Sequence, residues 1–139
     1  MDTSLIFLLL SILIVGVLVF IAVNISINKN HKFDREKYQT KFLKLENGLS
    51  RDNPASFSVS IIEADKLLDR AMMELGISGN TMGDRLKNSG TRFSQLNSVW
   101  YAHKTRNQIA HEPDFQVDYN KARHALATYK QALKDLGAI

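Results

Sequence analysis

The 139-residue chain has no cysteine. That excludes a disulfide framework, a thiol nucleophile and a cysteine-ligated zinc site. It has two prolines and seven glycines, too few for a loop-rich or all-β protein. The third absence is local. Residues 1–28 carry a single charged side chain, Asp2, so all 18 Lys and Arg and 13 of the 14 acids lie beyond them. Such segregation excludes a simple soluble globule and a uniformly disordered chain.

What fills the uncharged stretch is a run of apolar residues from Leu5 to Val23, interrupted only by Ser11 and Gly16. As a helix, these 19 residues span roughly 28 Å, close to the hydrocarbon thickness of a bilayer. A buried helix of a soluble protein would show a polar face, and this one is apolar all round. A cleaved signal peptide is the competing reading. It calls for a basic leading segment, a shorter apolar core and small residues at a cleavage site. Here Met1-Asp2-Thr3-Ser4 has no base, and Asn24-Ile25-Ser26-Ile27-Asn28 follows the apolar run. The expectation is an uncleaved membrane anchor, residues 1–28. Ser11 and Gly16 are not spaced as a small-residue seam between paired anchors.

Six bases follow the span, namely Lys29, Lys32, Arg35, Lys37, Lys41 and Lys44, and none precedes it. Positive charge stays on the cytoplasmic side, which places the N-terminus outside and the rest of the chain in the cytoplasm. With Asp34 and Glu36, residues 29–44 have a net charge of +4, whereas residues 45–139, with twelve bases and eleven acids, have +1. The basic character is therefore juxtamembrane. It reads as a topology signal with weak attraction to anionic lipid, or as an electrostatic surface for nucleic acid.

Beyond the anchor, the pattern is helical. Tyr38, Phe42, Leu45 and Leu49 recur at one-turn intervals, so residues 29–50 form a basic stalk or first helix. Asn53 as N-cap with Pro54 in the first turn opens a second helix, through Leu75, with Ile61, Ala64, Leu68, Ala71, Met72 and Leu75 on one face. Gly76 suits its C-terminal end. Thr81-Met82-Gly83-Asp84 has capping-box spacing and starts a short helix through Lys87. A long helix follows from about Arg92 to Glu112, stopped by Pro113. A last one begins at the cap Asp118, with Tyr119, Ala122, Leu126, Tyr129, Leu133 and Leu136 as its stripe. No segment alternates with period two for long enough to make a strand. Residues 51–139 are thus expected to form a small all-α, up-and-down bundle of about four helices. A core of this size is marginal alone and gains from tethering or dimerisation.

The chemistry-bearing stretch is Val99 to Glu112. On a helical wheel, Leu96, Val99, Trp100 and Ala110 define an apolar face, with His103 near its middle, Asn107 a turn on, His111 a further turn on and Arg106 at the flank. Polar groups on an inward face need compensation, because a buried unpaired one costs about 1–3 kcal/mol. Internal hydrogen bonds, a partner chain or a ligand would each supply it. The run Arg106-Asn107-x-x-x-His111, near the end of the penultimate long helix of a small bundle, resembles the motif of HEPN (higher eukaryotes and prokaryotes nucleotide-binding) domains: Arg, a polar residue, then His a little over one turn later. The resemblance implies a metal-independent endoribonuclease, often dimeric with the motifs meeting at the interface, or a non-catalytic relative serving as a binding module. It implies that Arg106 stabilises charge on a scissile phosphate, that His111 acts as base or acid at the ribose 2′-hydroxyl, and that Asn107 orients one of them. Guanidinium matches phosphate bidentately, and imidazole titrates near neutrality.

The alternative is that Arg106, Asn107 and His111 form a structural network, or hold a homodimer or a partner protein. Asp65 and Glu63, with Asp69, are candidate carboxylates, either as a solvated face or as one buried partner of Arg106 that orients it, with His103 in support. His103 and His111 with Glu112 and Asp114 do not have metal-ligand spacing, and neither a metal nor another cofactor is expected. Trp100 and Tyr101 read as core and rim residues rather than base-stacking platforms, and His124 as a surface residue.

Overall fold

A computed structural model describes residues 3–27 and 33–139, and every regular element among them is a helix. Lys29 and Lys32 lie outside the described residues. The chain divides into two compact units, one up to residue 32 and one from Phe33 to Ile139. Among the described residues, the first holds one helix, α1 (Thr3–Ile27). Its stretch Thr3–Ala22 has the length and apolar composition of a membrane-crossing helix, and none of that surface is buried against the protein. Ser11 does not interrupt it, because its hydroxyl donates to the carbonyl of Leu8 at 2.7 Å within the helix. In water the 15 exposed large apolar side chains from Leu5 to Ile21 would be untenable, whereas in a bilayer they face their own kind.

The second unit holds α2 (Arg35–Gly48), α3 (Ala55–Glu74), the short α4 (Met82–Lys87), α5 (Leu96–His111) and α6 (Tyr119–Asp135). α3 is central and packs against each of the other four. The helix set agrees with the all-α expectation, and the departures are local. The stretch read as stalk or first helix starts afresh at Asp34, whose carboxylate accepts from Lys37 N at 3.1 Å. It buries Tyr38 and Phe42 in the core, so α2 is a bundle helix. Arg35 also belongs to the bundle, since its Nε donates to Gly137 O at 3.0 Å. Lys37, Lys41 and Lys44 are exposed on α2.

Asn53 does not cap α3 with its side chain. Its carbonyl does the work, accepting Ser56 N at 2.9 Å and Ser56 Oγ at 2.7 Å. Thr81 and Asp84 form the reciprocal capping box on α4. α5 starts four residues later than the sequence suggests. Ser94 donates both its N–H and its hydroxyl to Asp135 on α6, at 2.8 and 2.7 Å, and Phe93 is buried in the core. These tertiary contacts hold residues 92–95 out of the helix. At the other end, Glu112 before Pro113 is extended, with ψ of 101°, as the proline ring demands. α3 and α6 end alike. Gly76 and Gly137, with φ of 71° and 76°, let the next residue bond back to Met72 O and Leu133 O.

The core is close to that foreseen. Ile61, Ala64, Leu68, Ala71 and Met72 of α3 and Ala122, Leu126, Tyr129 and Leu133 of α6 are all buried. α5 is the exception. Its buried line is Val99, Ala102 and Thr105, and Ala110 is exposed. The inward face is thus rotated from the one drawn on the helical wheel. His103, Asn107 and Arg106 fall on its half-buried flank, where the rim of the bundle meets α3.

Candidate functional site: a carboxylate, an imidazole, an amide and a guanidinium

Asp65, on α3, is the hub. Its side chain is 6% exposed. It is buried because position 65 follows Ala64 on the inward side of α3, one turn before Leu68 and Asp69. Oδ1 accepts the Tyr129 hydroxyl from α6 at 2.9 Å, and His103 Nδ1 from α5 lies at the same distance. Oδ2 lies 3.6 Å from Arg106 Nε, an ion-pair distance too long for a hydrogen bond. Arg106 Nε is buried and has no hydrogen-bond partner. Arg106 Nη1 donates to Asn107 Oδ1 at 3.2 Å, and Asn107 Nδ2 lies 3.3 Å from His103 Nε2. One carboxylate therefore ties together three helices, α3, α5 and α6.

Burial makes this electrostatics consequential. The Tyr129 hydroxyl is pushed far above the usual tyrosine range, first by burial and then by the Asp65 charge, with the Arg106 charge opposing. It stays protonated and is a permanent donor to Asp65. The positive charge of Arg106 sits beside that carboxylate, and the Arg106 side chain remains 29% exposed. The Trp100 ring stands edge-to-face with His103, centroids 6.2 Å apart. A shallow, mainly apolar groove of about 350 Å³ runs past Trp100, Tyr101, His103, Lys104 and Asn107.

The structure brings together four of the residues singled out from sequence, Arg106, Asn107, His103 and Asp65, and leaves two apart. His111, the last residue of α5, is exposed and takes no part in the hydrogen bonding. Glu63 is exposed and pairs with Lys66 at 2.8 Å, because its position on α3 points away from Asp65. Tyr129 is the member that sequence reasoning missed. It lies on the apolar stripe of α6 and reads there as a core aromatic. Its signal is a phenol hydroxyl on a mostly aliphatic inward face, since a buried hydroxyl needs a partner. Among the described residues, no group of three or more His, Asp and Glu is gathered in a way that would hold a metal ion, and His103, His111, Glu112 and Asp114 are not so gathered.

A second ion pair stands close by on α3. Arg85 of α4 is buried and grips Asp69 with two bonds, Nε to Oδ1 at 2.7 Å and Nη2 to Oδ2 at 2.9 Å, while its Nη1 donates to Gly79 O. The Asp69 hydrogen bond and charge raise the Arg85 pKa against the opposing effect of burial. All its partners are internal, so this pair fastens the α3–α4 turn. The chain matches no protein-family model, and neither the curated proteins nor the solved structures show a significant match to it.

Proposed function

We propose that this protein is a single-pass membrane protein with its N-terminus outside, whose cytoplasmic bundle is a HEPN-like domain acting on RNA as a metal-independent endoribonuclease. The observation that carries the reading is the presentation of Arg106. Asp65 and Asn107 hold its guanidinium from within, and the side chain stays partly exposed. A pre-oriented, partly exposed arginine suits a phosphodiester, because little ordering remains to be done on binding. His111 stands one turn beyond Asn107 at the exposed end of the same helix. In this reading, it takes the proton from the ribose 2′-hydroxyl as that oxygen attacks phosphorus and the 5′-oxygen leaves. A second copy of the chain would bring another histidine to protonate the leaving group.

The buried ring favours a second reading, a non-catalytic membrane-tethered module. Most polar atoms of Asn107 and His103 are used internally, and His111 has no orienting partner. Here the same edge binds a second copy or a partner protein, and exposed Tyr101, in the groove beside His103 and Asn107, adds apolar surface.

The test uses the full chain in detergent micelles, with single-stranded RNA and a metal chelator, beside Arg106→Ala and His111→Ala. Cleavage by the parent and by neither variant supports the ribonuclease. An inert parent, whose self-association or partner capture is lost in Arg106→Ala, supports the module. Protease digestion of intact and of inverted vesicles checks the orientation, since the bundle is expected to be cut only where the cytoplasmic face is outward.

A further inference from the structure

Asp65, His103, Asn107 and Arg106 form a ring in which chemistry dictates the direction of every hydrogen bond. A guanidinium can only donate, and an ionised carboxylate can only accept. Arg106 Nη1 therefore donates to Asn107 Oδ1, at 3.2 Å. That turns the amide nitrogen of Asn107 toward His103, where Nδ2 donates to Nε2 at 3.3 Å. Nε2 must then be unprotonated, so the imidazole proton is on Nδ1 and is donated to Asp65 Oδ1 at 2.9 Å. The ring closes through Arg106 Nε, 3.6 Å from Asp65 Oδ2. Read from either end, the assignment is the same: a neutral imidazole with its proton on Nδ1, and one orientation of the Asn107 amide.

We infer that His103 is a positioning residue for Arg106, and that protonation of His103 at Nε2 releases the guanidinium from Asn107. A doubly protonated imidazole points an N–H at the N–H of Asn107. Rotating the amide turns Oδ1 to His103, but it then sets Nδ2 against Arg106 Nη1, donor to donor. No orientation of Asn107 serves both neighbours once His103 is charged. The groups facing His103 are the Asp65 carboxylate from α3, the Tyr129 hydroxyl from α6 on the same carboxylate oxygen, Asn107 and Arg106 on its own helix, and the Trp100 ring. Asp69 and Arg85, one turn along α3 and on α4, are closed on each other. A second turn of the same helix thus controls whether Arg106 is held for a phosphate. The inference rests on the reading of Arg106 as the phosphate-binding group, but the coupling itself can be measured without RNA.

The experiment follows the full chain in micelles, labelled with 15N in Asn, Arg and His, from about pH 8 to about pH 5, the range in which imidazoles titrate. The Asn107 side-chain amide and the Arg106 Nε–H resonances are expected to move with the same midpoint as the His103 ring nitrogens. In His103→Gln, whose amide oxygen still accepts from Asn107, both resonances should stay flat. In Asn107→Ala, any echo at Arg106 should shrink to what Asp65 alone transmits. Arg106 resonances that ignore His103 in the parent, or that titrate equally in His103→Gln, overturn the inference. So does a His103 that stays neutral down to about pH 5. RNA retention then separates the two readings. A loss of about tenfold in the parent on acidification, absent in His103→Gln, is the worth of one charge-assisted hydrogen bond. Coupled resonances with no RNA retention at any pH would leave the inference standing and refute the proposed function.

Discussion

Replacing Asp65 by alanine isolates what the hub contributes to stability. The carboxylate accepts two hydrogen bonds, from Tyr129 and His103, and neutralises a half-buried guanidinium. The alanine variant leaves a buried hydroxyl and a nearly buried imidazole N–H without an acceptor, each worth about 1–3 kcal/mol. With the loss of the ion pair, the total should be about 3–5 kcal/mol, the range for removing one partner of a buried pair. Asp65→Asn keeps one acceptor oxygen for Tyr129 and His103 and should cost only about 1–2 kcal/mol. Urea unfolding of the full chain in a non-ionic detergent reads both. At a slope of about 1.5 kcal/mol/M, the alanine variant should lose about 2–3 M in midpoint. Tyr129→Phe supplies the control, because it should cost about 1 kcal/mol in the parent and recover about 1 kcal/mol or more once Asp65 is alanine, where it removes a stranded hydroxyl. An alanine variant within about 0.5 kcal/mol of the parent would refute the assignment of Asp65 as the hub. Equal costs for Ala and Asn would refute the part of the reasoning that rests on acceptor geometry.

The remaining predictions concern other parts of the bundle. Asp69→Ala strands the Arg85 guanidinium, whose side chain is 7% exposed, and should cost about 3–5 kcal/mol in the same assay. Arg85→Met should cost less, because it removes the charge together with its need for a partner. Gly79→Ala should lower stability by about 2–3 kcal/mol. Gly79 has φ of 149°, and an added Cβ would stand 2.7 Å from the Arg85 backbone nitrogen, which cannot move without opening α4. On the alkaline side, Tyr38 and Tyr129 are both held far above the ordinary tyrosine range, chiefly by burial and next by Glu74 and Asp65 respectively. A raised folded pKa means that the unfolded chain loses these protons first. Stability is therefore intact below about pH 10 and falls above it. Phenolate absorbance should show Tyr38 and Tyr129 ionising only with unfolding, monitored in parallel by circular dichroism.

Local rules carried the sequence reading a long way, and their failures have a common cause. Asp118 accepts from Lys121 N as the sequence indicates, and Thr81 and Asp84 close their capping box, because caps depend on residues three apart. The buried faces of α3 and α6 were legible because a strong stripe admits one inward orientation. α5 was not, since its apolar residues are sparse and its polar ones many. There the rotation was decided by what α3 and α6 offered, a carboxylate at position 65 and a hydroxyl at position 129. The start of α5 moved for the same reason, through the grip of Asp135 on Ser94.

By itself, the sequence determined that one N-terminal helix has the length and composition to cross a membrane and that the remainder is helical. Both follow from near-neighbour physics: the apolar run, the one-turn periodicity and the caps. Only the tertiary structure decided that Asp65 rather than Glu63 faces Arg106, that His103 rather than His111 joins it, and that Tyr129 completes the group. Those choices depend on side chains 38 and 64 residues apart meeting at 2.9 Å, a proximity that packing alone creates.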